Sequence, residues 1–106
     1  MIDWERVTEL KDEIGEEDFD EVVEMFLSEV EEVIDRLKTA PDPATYEADL
    51  HFLKSSSLNL GFDALSKICN AGERSAAQGH AADVALAPVF SCFEESRQAL
   101  SAGPTG

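Results

Sequence analysis

Apolar residues return along this chain at intervals of three and four, the spacing that lines side chains along one face of an α-helix, and no stretch alternates apolar and polar positions long enough to predict a strand. Trp4, Val7, Leu10 and Ile14 form a short first stripe, which Gly15 is placed to end because glycine adopts a left-handed backbone without steric cost. Phe19, Val23, Phe26, Val30, Val33 and Leu37 then step by fours and threes. That is the seam of a bundle helix with acids on its other faces, running to about Thr39. Pro41-Asp42-Pro43 stops it, since each proline lacks a donor and disfavours helical geometry in the residue before it.

A third helix carries Tyr46, Leu50, Leu53, Ser57 and Leu60 on its buried face, and Gly61 marks the turn into a fourth with Leu65, Ile68, Cys69, Gly72 and Ala76, ended by Gly79. The fifth stripe is Leu86, Val89, Phe90, Phe93, Arg97 and Leu100. Its Pro88 leaves two alternatives, a helix that starts near Ala87 or one that kinks there. Ser101 onward has no apolar anchor and is expected to fray. The pattern predicts an all-α fold: an antiparallel four-helix bundle with a short N-terminal capping helix, one domain over residues 1–102 and a flexible tail at 103–106. A helix that caps a bundle can leave one side open, so Val7 and Leu10 are candidates to face a partner.

Composition narrows the functions open to such a bundle. The chain has 106 residues and a net charge of −15, with 23 acids against 8 bases. Eighteen of those acids fall within residues 1–50, so a nucleic-acid partner, which needs Lys and Arg for its phosphates, is not expected. The apolar runs are shorter than a membrane span and the N-terminus lacks the order of a signal peptide, which predicts a cytoplasmic protein with no membrane partner. Cys69 and Cys92 lie on apolar stripes without CxxC spacing and are read as buried thiols. The acidic run from Glu16 to Glu32 is read as a solvated face.

Candidate chemistry concentrates on the third helix. At about 100° per residue, His51 stands about 150° from the centre of the buried arc, facing water. Glu47, Lys54, Ser55 and Leu58 share its strip. An imidazole in water titrates near pH 6.5, so near neutrality most rings keep one unprotonated nitrogen able to attack an electrophile. Lys54, one turn away, places a cation where a phosphoryl group would sit. Glu47 is a candidate partner-binding residue and, if it reaches the ring, would orient one nitrogen. Ser55 and Ser56 keep the neighbouring surface low for a docking protein, and Leu58 offers it an apolar anchor. His80, between Gly79 and Ala81, is read as a loop residue without a role. The chain has no Gly-rich phosphate loop, no serine–histidine–acid set and no cluster of metal ligands, so no cofactor or metal of its own is expected.

Residues 51–61, His-Phe-Leu-Lys-Ser-Ser-Ser-Leu-Asn-Leu-Gly, resemble the signature of histidine-containing phosphotransfer (HPt) domains, which reads His-x-Leu-Lys-Gly-Ser with Leu-Gly a few residues on. The resemblance extends to the length and helical make-up of the whole chain. It implies that His51 is the phosphoacceptor, Lys54 the lysine beside the phosphate, Ser56 the small residue, and Leu60-Gly61 the pair that ends the helix. Ser55 departs from the pattern, standing where the family has glycine; its hydroxymethyl group is small, and activity is expected to be retained. By this resemblance the chain relays a phosphoryl group between receiver-domain aspartates of a multistep two-component system. Its partners would be response-regulator receiver domains and a sensor histidine kinase, hybrid or not. Mg²⁺ and the catalytic groups would be the receiver's, so the chain is expected to be a phosphocarrier without autokinase activity. It is expected to be a monomer, and a stand-alone protein rather than a kinase fragment because neither end carries linker sequence. The alternative is an acidic helical interaction module that binds a signalling partner and never carries phosphate.

Overall fold

A computed structural model describes residues 2–103. Helix α1 spans Trp4–Ile14; the Asp3 carboxylate accepts from the Arg6 amide at 3.2 Å to cap it, and Gly15, at φ 98°, ends it and leads directly into α2. Helix α2 spans Glu16–Thr39, with Glu16, Glu17 and Asp18 at the positive end of its dipole and Arg36 and Lys38 at the negative end. A single 3₁₀ turn over Pro43–Thr45, capped by Asp42, leads into α3, Tyr46–Leu60. Helix α4 is Asp63–Ser75. The chain then passes through a wide turn, Ala76–His80, in which Gly79 breaks the helical path, and a 3₁₀ turn, Ala81–Asp83, to α5, Ala87–Ala102. No strand occurs among the described residues, and the fold is the all-α bundle the spacing predicts.

Pro88 lies in the first turn of α5, so the helix starts at Ala87 and does not kink. Ser101 and Ala102 belong to that helix rather than to a frayed end: the Gly103 amide donates to the carbonyls of Ala99 and Leu100 and closes the last turn. The rest of the expected tail, residues 104–106, lies outside the described residues.

The core is built from the stripes. Leu50, Leu53, Leu60, Leu65 and Cys69 are sealed between α3 and α4, with Val30, Ile34 and Leu37 from α2 and Val89 and Phe93 from α5. Ile34 was not in the predicted seam, whereas Phe19, Phe26 and Val33, which were, are half-buried. A helix in a globular bundle buries an arc wider than a coiled-coil seam, and that arc takes in Ile34 beside Val33. Val7 and Leu10 are buried, so neither is the open side of the capping helix; α1 packs on both α2 and α3.

The α3–α4 turn fixes the register of the site. The Phe62 amide donates to the Ser57 carbonyl at 2.8 Å and the Gly61 amide to that of Leu58 at 3.4 Å, with Gly61 left-handed at φ 77° and Phe62 buried behind it. This is a Schellman closure. The Asp3 amide donates to the Gly61 carbonyl at 2.7 Å, tying the start of α1 to the turn, and a Cβ on Gly61 would lie 2.7 Å from the Asp3 carbonyl oxygen. Gly61→Ala should therefore meet both backbone strain and a backbone clash, costing at least about 1–2 kcal/mol and lowering Tm by roughly 5–10 °C in a thermal melt.

Candidate functional site

The pairing of α3 with α4 brings three charged side chains together. An antiparallel hairpin turning at Phe62 sets residues equally far on either side of it opposite one another, and His51 and Glu73 are such a pair. The helices approach closely here because α4 presents Gly72, where a Cβ would come within 2.9 Å of Leu50 Cδ1. On the far side of α3, Arg36 of α2 meets Asp49 at 2.5 Å, and Asp49 also accepts from the Thr45 hydroxyl at 2.8 Å, which holds the first turn of α3 in place.

His51 is 61% exposed, and its Nδ1 lies 2.8 Å from Glu73 Oε2. Glu73 is only 18% exposed; its Oε1 is buried and lies 2.5 Å from Lys54 Nζ. That second contact is an ion pair whose angles fall short of a regular hydrogen bond, and Oε1 has no other polar partner. Lys54 first, and His51 after it, hold the Glu73 carboxyl below its ordinary range against the opposing effect of burial. Glu73 therefore stays ionised into mildly acidic water. A carboxylate only accepts hydrogen bonds, so it places the proton of a neutral His51 ring on Nδ1 and leaves the lone pair on Nε2.

Glu47 does not orient the ring. It is exposed, and among the described residues it makes no hydrogen bond or ion pair with His51. A pairing one turn away on a solvated helix is worth only about 0.2–0.5 kcal/mol, whereas Glu73 is half-sealed and already held by Lys54. Ser56 is also not where it was expected. It is 6% exposed and packed in the bundle, because it falls at the edge of the wide buried arc of α3, and it offers nothing to a partner. Ser55 is exposed beside the histidine, and Leu58, at 54%, is one of two large apolar side chains in the open among the described residues. Phe52 is half-buried against the core, and His80 is exposed with Asp83 at 3.8 Å.

Glu73 is the residue the sequence reading missed. The signal was present: it is the only carboxylate on the buried side of the α4 stripe, and reflecting His51 through the Phe62 turn lands on it.

Among the described residues no three His, Cys, Asp or Glu side chains gather as a metal-binding group, and no helix is long and apolar enough to cross a membrane. What remains is an exposed imidazole with one nitrogen engaged and a lysine alongside, on a helical bundle, a set suited to carrying a phosphoryl group. The family model for the Hpt domain matches residues 21–103, and the chain belongs to that family. The motif at residues 51–61 lies inside the match. Hpt domains pass phosphoryl groups through histidine in phosphorelays, as carriers that work with receiver domains and histidine kinases. Comparison with the curated proteins and with the solved structures gave no match.

Proposed function

We propose that this protein carries a phosphoryl group on Nε2 of His51, taking it from the phosphorylated aspartate of one receiver domain and passing it to another. The observation that supports this most is the cluster of His51, Glu73 and Lys54, with Nδ1 engaged and the ring mostly exposed, on a chain of the Hpt family. In the forward step the Nε2 lone pair attacks phosphorus, the bond from phosphorus to the aspartate oxygen breaks, and the carboxylate leaves with the electron pair. The ring keeps its Nδ1 proton and becomes cationic, and Glu73, ionised beside that proton, stabilises the charge as it develops. Mg²⁺ and the groups that hold the transferring phosphoryl in line belong to the receiver.

Lys54 is pinned by Glu73 near the ring and balances the phosphoryl oxygens. Ser55 and Leu58 frame the approach of the receiver, with the Ser55 hydroxymethyl standing where the family pattern leaves a bare backbone. A cytoplasmic location and a hybrid or separate histidine kinase upstream complete the reading.

The test is incubation with a phosphorylated receiver domain and Mg²⁺, followed by intact mass and chemical stability of the product. An acid-labile, alkali-stable phosphate is expected on the wild-type chain. No label from several receivers would favour the interaction module instead. Lys54→Ala should slow the transfer by about tenfold or more in a domain that still melts cooperatively, since it removes one charge from the transition state; an unaltered rate would remove Lys54 from the mechanism.

A further inference from the structure

The side of the bundle away from α3 and α4 is open. Helix α5 packs chiefly on α4, and α2 on both α3 and α1, and between α1, the first half of α2 and the end of α5 lies a cleft of about 760 Å³. Its floor is apolar, formed by the half-buried Trp4, Leu27 and Leu100 over the buried Val7 and Val23. Its wall is acidic, with Asp20, Glu24 and Glu31 spaced along α2 with Leu27 between them, a strip of about three turns or 16 Å. The two bases at the rim are already engaged: Lys11 meets Glu16 at 3.7 Å and lies over the Phe19 ring, and Arg97 meets Glu94 at 2.6 Å. Among the described residues Asp20, Glu24 and Glu31 make no ion pair. Helix α1 precedes the part of the chain that matches the Hpt family, so this cleft is built partly by residues outside the match.

We infer that this cleft is a second docking surface, which takes a basic amphipathic helix of a partner protein. An apolar floor running along a helix asks for apolar side chains repeating at three and four, and an acidic wall in which Asp20, Glu24 and Glu31 form no ion pair, with Arg97 near only Glu31, asks for Lys and Arg on the flank of that same helix. A second copy of this chain does not fit, because both the wall and the net charge of −15 repel it. None of the lining residues lies on α3 or α4, so an occupant leaves His51 open to a receiver. The site would hold a partner close while phosphoryl transfer proceeds elsewhere on the molecule.

Trp4 is the one tryptophan of the chain and lines the cleft, so its fluorescence reports occupancy. The probe is a synthetic Leu/Lys amphipathic helix of about 15 residues, long enough to span the strip, with a Leu/Glu peptide of the same pattern as control. The Leu/Lys peptide is expected to shift Trp4 emission and saturate at one per chain, while the Leu/Glu peptide does neither. Charge reversal at Asp20→Lys with Glu24→Lys should weaken binding about tenfold or more, whereas the matched pair Glu29→Lys with Glu32→Lys, exposed on α2 outside the cleft, should change it less than about threefold. Equal weakening by the two pairs, failure to saturate, or an unmoved Trp4 signal would each overturn the proposal. Phosphotransfer to His51 should be the same in both paired variants, which separates this test from that of the relay.

Discussion

Glutamine in place of His51 is expected to abolish phosphate acceptance altogether while leaving the bundle intact. The side chain is mostly in water, and its one polar partner among the described residues is Glu73, so its loss opens no core cavity. Surface changes of this kind stay within about 0.5 kcal/mol, which in a chain this size keeps Tm within about 3 °C of wild type. The amide of glutamine can still meet Glu73, but its nitrogen lone pair is delocalised into the carbonyl and cannot attack phosphorus. Intact mass after incubation with a phosphorylated receiver is the measurement. A phosphate still found on the variant would place the carrier elsewhere, and a variant that failed to melt cooperatively would mean that His51 supports the fold.

The second large effect is expected at Glu73. Alanine there removes the group that sets the ring tautomer and holds Lys54, and transfer should fall by about ten- to a hundredfold, the range found when a carboxylate that orients a histidine is lost. Glutamine should recover much of this, because its carbonyl oxygen still accepts from Nδ1, but not all, because the charge opposite the cationic ring is gone. That graded order is what distinguishes a positioning role from a merely structural one. The pH dependence carries a definite sign. Lys54 and His51 lower the Glu73 pKa relative to an unfolded chain, so the stability this carboxylate contributes is present above the ordinary carboxylate range and is lost as pH falls through the lowered value. The wild-type melt should therefore lose more on acidification than that of Glu73→Gln, which has no such group to titrate. Equal loss in both proteins would count against the cluster.

How much of this could be read from the chain depends on whether a feature is set within one helix or between two. The α3 stripe was legible because Tyr46, Leu50, Leu53, Ser57 and Leu60 obey one period, and all five are buried. The exposure of His51 followed from the same arithmetic. Ser56 and Ile34 were misplaced for one reason: a buried arc has a width that the period does not state, and residues at its edge are decided by how close the neighbouring helix comes. Glu73 belongs to a relation across a turn, fixed by the Schellman closure at Gly61 and by the close approach at Gly72. Reasoning along a single helix offered Glu47 instead, the nearest carboxylate in sequence. The cleft between α1, α2 and α5 was equally out of reach, since its residues come from three separate segments.

The two cysteines have a practical side. Burial, with Cys92 and Glu73 adding to it, pushes the Cys69 thiol up to about 12, which leaves roughly three orders of magnitude less thiolate than an ordinary cysteine holds at neutral pH. Cys92 is sealed against α4 at 6% exposure. Maleimides and similar reagents need an accessible thiolate, so the folded chain is in effect blank to them. A single cysteine placed on the surface, at Ser55 beside the histidine or at Ser28 on the rim of the cleft, would take a dye or spin label alone. Each surface could then be followed in its own single-cysteine variant, with the native core left untouched.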